Sequence, residues 1–154
     1  MGKNHAYRDF DIACTMSILH LHPRATEVFA VTSGRVSTEM FPEAGVLDAD
    51  GKQRTIRTEL GPGMLTVFPA GSFHTQLNVD CEPATIVAGF SSDDPGASLI
   101  VDGLLSLSDE VVSTSFGHVI AGEDIDAVRN ALPKGLGAKV DSCLAKCGIQ
   151  KRRV

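Results

Sequence analysis

Between about residue 11 and residue 117 the chain is cut by turn chemistry into short segments, and this punctuation constrains the fold more than any other feature. "ATEVFAVTSG" (25–34) and "RVSTEMFPEAG" (35–45) flank Gly34 and read as the two arms of a hairpin. After a loop rich in Gly and Asp come "QRTIRTEL", "MLTVFPAG", "SFHTQLNV" and "PATIVAGFSS", separated by Gly-Pro-Gly, Pro-Ala-Gly and Asp-Cys-Glu-Pro. Glycine supplies positive φ and proline cannot donate to a ladder, so each interruption ends a strand. Short strands at such regular spacing predict an all-β sandwich or barrel.

The periodicity changes near the C-terminus. "EDIDAVRNALPKG" (123–135) places Ile125, Val128 and Leu132 at helical spacing, opens on acidic residues and is stopped by Pro133. "GAKVDSCLAKCGI" (137–149) puts Val140, Cys143, Leu144 and Cys147 on one face, with Gly148 as the C-cap. The expectation is one domain over 1–154, a barrel at about 11–117 and a helical segment at about 122–148. The apolar faces of these helices then cover a barrel edge or meet another subunit.

Composition narrows the function classes. At 154 residues, 43% hydrophobic and 21% charged, the chain can bury a core without help from disulfides. A formal net charge of -5 excludes a nucleic-acid partner, because phosphate binding needs a cationic surface. The basic "KRRV" at 151–154 reads as a solvated tail. No apolar run reaches the length that spans a bilayer, and "IACTMSIL", preceded by acidic residues, does not make a secretion signal. A cytoplasmic location follows from the chain as written, an extracellular one if it is a mature fragment. Cys14, Cys81, Cys143 and Cys147 are too few and too scattered to read as a disulfide scaffold, and a helical Cys143–Cys147 bridge would need distortion.

The chemistry is carried by two islands. In "HLHPRATE" (20–27), His20 and His22 share one face if the segment is extended, and Glu27 reaches that face if the chain bends at Pro23. In "GMLTVFPAGSFHTQLN" (63–78), His74 follows a tight turn. Three imidazoles and one carboxylate form a nitrogen and oxygen donor set that suits manganese, iron, nickel or zinc. An octahedral ion on four protein ligands keeps two positions open. His5 and His118 lack this context and read as surface residues.

The two islands resemble the paired motifs of the cupins in their germin-like and spherulin-like form. The first is met by His20, His22, Glu27 and Gly34, the second by Gly63, Pro69, Gly71, His74 and Asn78. "CEPATIVAGFSSDDPG" and "GLLSLSDEVVSTSFG" extend the likeness to fungal and slime-mould members. The resemblance implies a single-domain jelly-roll β-barrel with two or three C-terminal α-helices. It also implies a divalent metal, manganese foremost, on His20, His22, Glu27 and His74, and a homo-oligomer between dimer and hexamer. Asn78 matches the position that orients a ligand or substrate. Gln76, two residues after the last ligand, is a further catalytic candidate. The lead-in to the first motif, "CTMSIL" (14–19), departs from oxalate-oxidising members, which place Asn, Gly and Pro there.

Three functions fit these residues. The first is a metal-dependent enzyme that oxidises, isomerises, cyclises or dehydrates a small oxygenated organic substrate, as in fungal specialised metabolism. The second is oxalate oxidase or superoxide dismutase activity. The third is a non-catalytic storage or stress protein that binds metal. An apolar substrate pocket favours the first and a small polar one the second.

Overall fold

The computed structural model describes residues 13–150, so His5 and the basic tail at 151–154 lie outside the described residues. The chain forms β1 (Thr15–Ser17), β2 (His20–Leu21), β3 (Glu27–Ser33), β4 (Val36–Phe41), β5 (Ile56–Leu60), β6 (Leu65–Phe68), β7 (Phe73–Asn78), β8 (Thr85–Phe90) and β9 (Ser98–Leu99). It continues through α1 (Ile100–Leu105), α2 (Asp109–Ser115), α3 (Glu123–Ala131), β10 (Gly137–Lys139) and α4 (Asp141–Lys146). The strands make two antiparallel sheets, as the all-β reading expects: β6, β3 and β8 form one, and the other seven form the second around β7.

Alternation of burial along the strands decides which side chains enter the barrel. Glu27, Phe29 and Val31 of β3 point in, as do Val36, Thr38 and Met40 of β4 and His74, Gln76 and Asn78 of β7. Phe29, Val31, Val36, Leu60, Phe68, Ile86 and Ala88 form a continuous apolar core. Burial of each aromatic there contributes about 2–3 kcal/mol. The histidines adjoin this core, His74 stacking on Phe68. On the three-stranded sheet the outward positions Val28, Leu65, Val67 and Val87 are exposed and adjoin one another through the pairs Val28↔Val67, Ala30↔Leu65 and Ala30↔Val87.

Four expectations change. The segments flanking Gly34 do not pair as a hairpin: β3 pairs with β6 and β8, whereas β4 pairs with β5 and β7. Gly34 is where the chain crosses between sheets, at φ +75, and a Cβ there would lie 2.7 Å from the Ala84 Cα. Residues 100–115, read as part of the strand-rich body, fold as α1 and α2. They bury Leu105 and Val112 against Ile125 of α3, an apolar contact that overrides the β-branched composition. Residues 137–139, read as helical, extend the sheet as β10 on β1, and the helix follows at Asp141.

The cysteines are the fourth correction. Cys14 bonds Cys143 and Cys81 bonds Cys147, across 129 and 66 residues, and no cysteine is left free. Sequence spacing gave no hint of this, because the fold alone brings the start of β1, the loop after β7 and α4 together. No helix among the described residues is long and apolar enough to cross a membrane.

Candidate metal centre

The four ligand candidates come from three strands. β2 supplies His20 and the residue just past it, His22; the turn at Pro23 and Arg24 returns the chain so that Glu27 opens β3; β7 lies against β2 with His20 directly opposite His74. That turn is fixed by the Arg24 N–H to Pro95 carbonyl bond and by the Arg24–Asp94 ion pair. The turn before His74 is closed by the Gly71 N–H donating to the His22 carbonyl at 2.9 Å, which ties the two islands to each other. All four residues are buried, and their ligand atoms lie within 4.8 Å of one another.

Each ring is oriented by the same device. Nδ1 of His20 donates to the Ile18 carbonyl at 2.8 Å, Nδ1 of His22 to Gly96 at 2.6 Å and Nδ1 of His74 to Ser72 at 2.9 Å. Those bonds orient each ring and aim each Nε2 inward, the arrangement that serves metal ligation. Phe68 stacks on His74 with centroids 4.2 Å apart, and Phe90 meets the His22 ring edge-on at 4.7 Å. The Glu27 carboxylate faces the inward nitrogens, 3.0 Å from His22 Nε2 and 3.2 Å from His74 Nε2.

Three inward ring nitrogens and a carboxylate cannot sit together without a cation or a proton among them. Burial, with the neighbouring His74 ring second, pushes His20 down to about 4. Burial opposes protonation of His22 too, but the bonds to the Glu27 carboxylate and the Gly96 carbonyl outweigh it and raise this ring above its ordinary value. Burial would raise Glu27, yet the hydrogen bonds from His22 and His74 hold it down to about 2. His20 and Glu27 therefore offer unprotonated donor atoms, whereas the His22 ring holds a proton more readily than an ordinary histidine and gives it up on metal binding. The donor set and its anchoring fit a first-row divalent ion.

Beyond the ligands the interior opens into a cavity of about 880 Å³. Met16, Phe29, Ile86, Ala88, Phe90 and Leu136 give it apolar walls. Gln76 lines the same cavity: the Ser17 hydroxyl donates to its Oε1, and its own backbone N–H donates to Ser17 Oγ at 3.0 Å. Every fully buried side-chain nitrogen or oxygen among the described residues has a partner. Gln76 Nε2 has no partner among the described residues and meets the open space of the cavity that Gln76 lines.

Asn78 lies further along the same strand as His74. It points inward four residues beyond His74, about 13 Å along the strand. Its Nδ2 donates to the Glu82 carbonyl and its Oδ1 accepts the Asp80 N–H, so both polar ends hold the loop after β7. His118 is exposed, as expected. The segment Leu136–Lys139 lines the cavity, and nothing in its sequence signals that.

The cupin family profile matches residues 8–124. This chain belongs to the cupin family. Spherulin-1A of Physarum polycephalum is 32% identical over 137 residues, 89% of this chain and 52% of that protein. Germin-like protein 2-4 of Oryza sativa subsp. japonica is 38% identical over 96 residues, 62% of this chain and 38% of that protein. The chain thus spans about half or less of the length of these relatives. Among solved structures, oxalate oxidase superposes with a TM-score of 0.65 at 21% identity, covering 77% of this chain and 58% of that one. Procruciferin, the 11S globulin of Brassica napus, does so with a TM-score of 0.68 at 16% identity, covering 83% and 31%. These likenesses place the cupin among germin-like and spherulin-like proteins of jelly-roll fold.

Proposed function

We propose that this cupin is a metal-dependent enzyme that acts on an oxygen-bearing organic molecule with a substantial apolar body. His20, His22, Glu27 and His74 would hold one divalent first-row ion, manganese first, with iron, zinc and nickel as alternatives. Held by these four side chains, such an ion would supply Lewis-acid chemistry toward an oxygen of the substrate. The observation that carries the reading is the cavity of about 880 Å³ with apolar walls leading to the four ligands. Pockets of roughly 300–1,000 Å³ take molecules far larger than oxalate.

Within that site Glu27 serves as a ligand, held ionised by its two histidine partners. Gln76 is the group that orients substrate: Ser17 fixes its carbonyl end and leaves the amide N–H atoms free to donate to a substrate oxygen. Asn78 holds the neighbouring loop and stays out of the chemistry. The apolar residues around the opening exclude water from the bound molecule, which strengthens every polar contact at its inner end.

The exposed apolar face of the three-stranded sheet supports a homo-oligomer, since contiguous patches of this kind mark interaction sites. The two disulfides support residence in an oxidising compartment rather than the cytoplasm. Oxalate oxidation is the second reading, favoured by the shared fold of the germin-type enzyme and disfavoured by the size and lining of the cavity.

The test has two steps. Elemental analysis of purified protein is expected to return about one first-row metal per chain. Manganese-loaded protein is then titrated with oxalate and with 3-hydroxy-2-naphthoate while the manganese resonance is followed. The bulky chelator is expected to bind at least tenfold more tightly, with no turnover of oxalate. Rapid oxalate turnover, or equal affinity for the two, refutes the proposed substrate class.

A further inference from the structure

α4 and its C-cap carry two cysteines one helical turn apart, and both reach to distant parts of the barrel. Cys143 is joined to Cys14, immediately before β1, and Cys147 to Cys81, in the loop after β7. The sulfurs crowd together: Cys147 Sγ lies 3.6 Å from Cys14 Sγ and 3.9 Å from Cys143 Sγ. The apolar contact beneath α4 consists largely of the cystines themselves, with Leu144 and Val140 beside them.

Directly before α4 runs β10, the outermost strand on β1, paired through Thr15↔Lys139, Met16↔Ala138 and Ser17↔Gly137. The ladder is extended by the Val140 N–H to Cys14 carbonyl and the Ile18 N–H to Leu136 carbonyl bonds. A three-residue edge strand is marginal by itself, and a terminal segment is ordered only where something ties it down. Here the same segment lines the cavity. Gly137 stands opposite Ser17, whose side chain faces Gln76, so a side chain at 137 would point to the same inner face. A Cβ built at Gly137 meets nothing within 4 Å. The glycine keeps that space open.

We propose that the paired disulfides clamp residues 136–139 in place as a wall of the substrate cavity, and that Gly137 is the specificity-determining position of that wall. The proposal rests on the reading of the cavity as the substrate site. Opening the clamp then removes the wall and leaves the metal ligands, which are held by β2, β3 and β7, undisturbed. The clamp acts as one unit. Once Cys81–Cys147 is opened, the Cys147 thiolate is in contact with the other disulfide; its attack on Cys14 forms a 14–147 bond and expels Cys143 as thiolate.

The test uses the full metal-loaded chain and 1-anilinonaphthalene-8-sulfonate, an aromatic anion, as the probe. Tris(2-carboxyethyl)phosphine reduces each disulfide: the phosphine and one water become the phosphine oxide, and the two electrons and two protons appear on two thiols. After reduction, hydrogen exchange followed by mass spectrometry is expected to speed up at least tenfold over residues 136–147 and to stay unchanged over β3 and β7. Probe affinity is expected to fall at least tenfold while metal content is unchanged. Gly137→Leu, with disulfides and metal intact, is expected to lose the probe to the same extent. Unchanged exchange at 136–147 overturns the clamp. Faster exchange with unchanged probe affinity, or full probe binding by Gly137→Leu, overturns the wall. If the native protein does not bind the probe, the wall role falls together with the substrate-site reading, and the exchange result still decides the clamp.

Discussion

A buried histidine held neutral makes the metal-free cupin sensitive to mild acid, by an amount the site itself sets. His20 is buried and its folded pKa is about 4 against an ordinary 6.5. The unfolded chain therefore binds a proton at His20 that the folded chain refuses. Stability from this ring is fully present above pH 6.5 and is lost as pH falls toward 4. Each pKa unit is worth about 1.4 kcal/mol, so the loss totals about 3 kcal/mol by pH 4, of which about 2 kcal/mol falls between pH 6.5 and 4.5. That window isolates His20. His22, raised above 6.5, already contributes in full below pH 6.5, and Glu27, lowered to about 2, begins to lose its contribution only below its ordinary 4.5. Because the sequence has no tryptophan, the assay is urea unfolding of chelator-treated protein followed by far-ultraviolet circular dichroism at the two pH values. His20→Asn, which preserves a donor for the Ile18 carbonyl and has no proton to gain, is the control. Wild type is expected to lose about 2 kcal/mol more than the variant across the window. Parallel losses in the two proteins would refute the claim that burial keeps His20 neutral.

Four further outcomes are expected. His74→Ala, assayed by competition with a metal chelator, is expected to lower metal affinity by more than roughly a hundredfold, since even the outer partners of ligands are worth about ten- to a hundredfold. Apparent metal affinity is expected to fall about tenfold for each pH unit below the raised pKa of His22, because one proton must leave that ring; a pH-independent affinity from 7 to 5.5 would contradict this. Replacing Cys14 and Cys143 by serine removes a link across 129 residues and is expected to cost about 5 kcal/mol in the chain-entropy account, read from urea midpoints. Leu65→Asp, in the middle of the exposed sheet face, is expected to reduce the solution mass to that of a monomer, as measured by light scattering.

The ligand set was legible because metal chemistry demands particular side chains, and a strand places residues of the same parity on the same face. His20, His22, Glu27 and His74 could be read one by one, and the structure brings all four together. Strand positions were legible from Gly and Pro, but strand partners were not: Gly34 looks the same whether it turns a hairpin or passes the chain between sheets. Asn78 matched a motif position, yet its amide answers the local call of Asp80 and Glu82 for hydrogen bonds. Residues 100–115 were read with the strand-rich body, and α2 holds the β-branched Val111, Val112 and Thr114. The signal that opposed them was Ser108 followed by Asp109 and Glu110, a helix start with acidic residues in its first turn. The cysteine pairs, 129 and 66 residues apart, and the cavity role of Leu136–Lys139 depend on contacts between distant parts of the chain, and no local pattern carries such information.

The two cystines also impose an order on the birth of the molecule. Both bonds have one partner in α4 or at its C-cap, so during synthesis Cys14 and Cys81 emerge first and wait as thiols until that helix arrives. The bond open to them meanwhile is the wrong one, to each other, and it would leave Cys143 and Cys147 without partners. In an oxidising compartment the yield of correctly closed barrel is then set by a race between delivery of the C-terminal helix and premature oxidation. A thiol–disulfide isomerase present during synthesis shifts that race towards the native pairs.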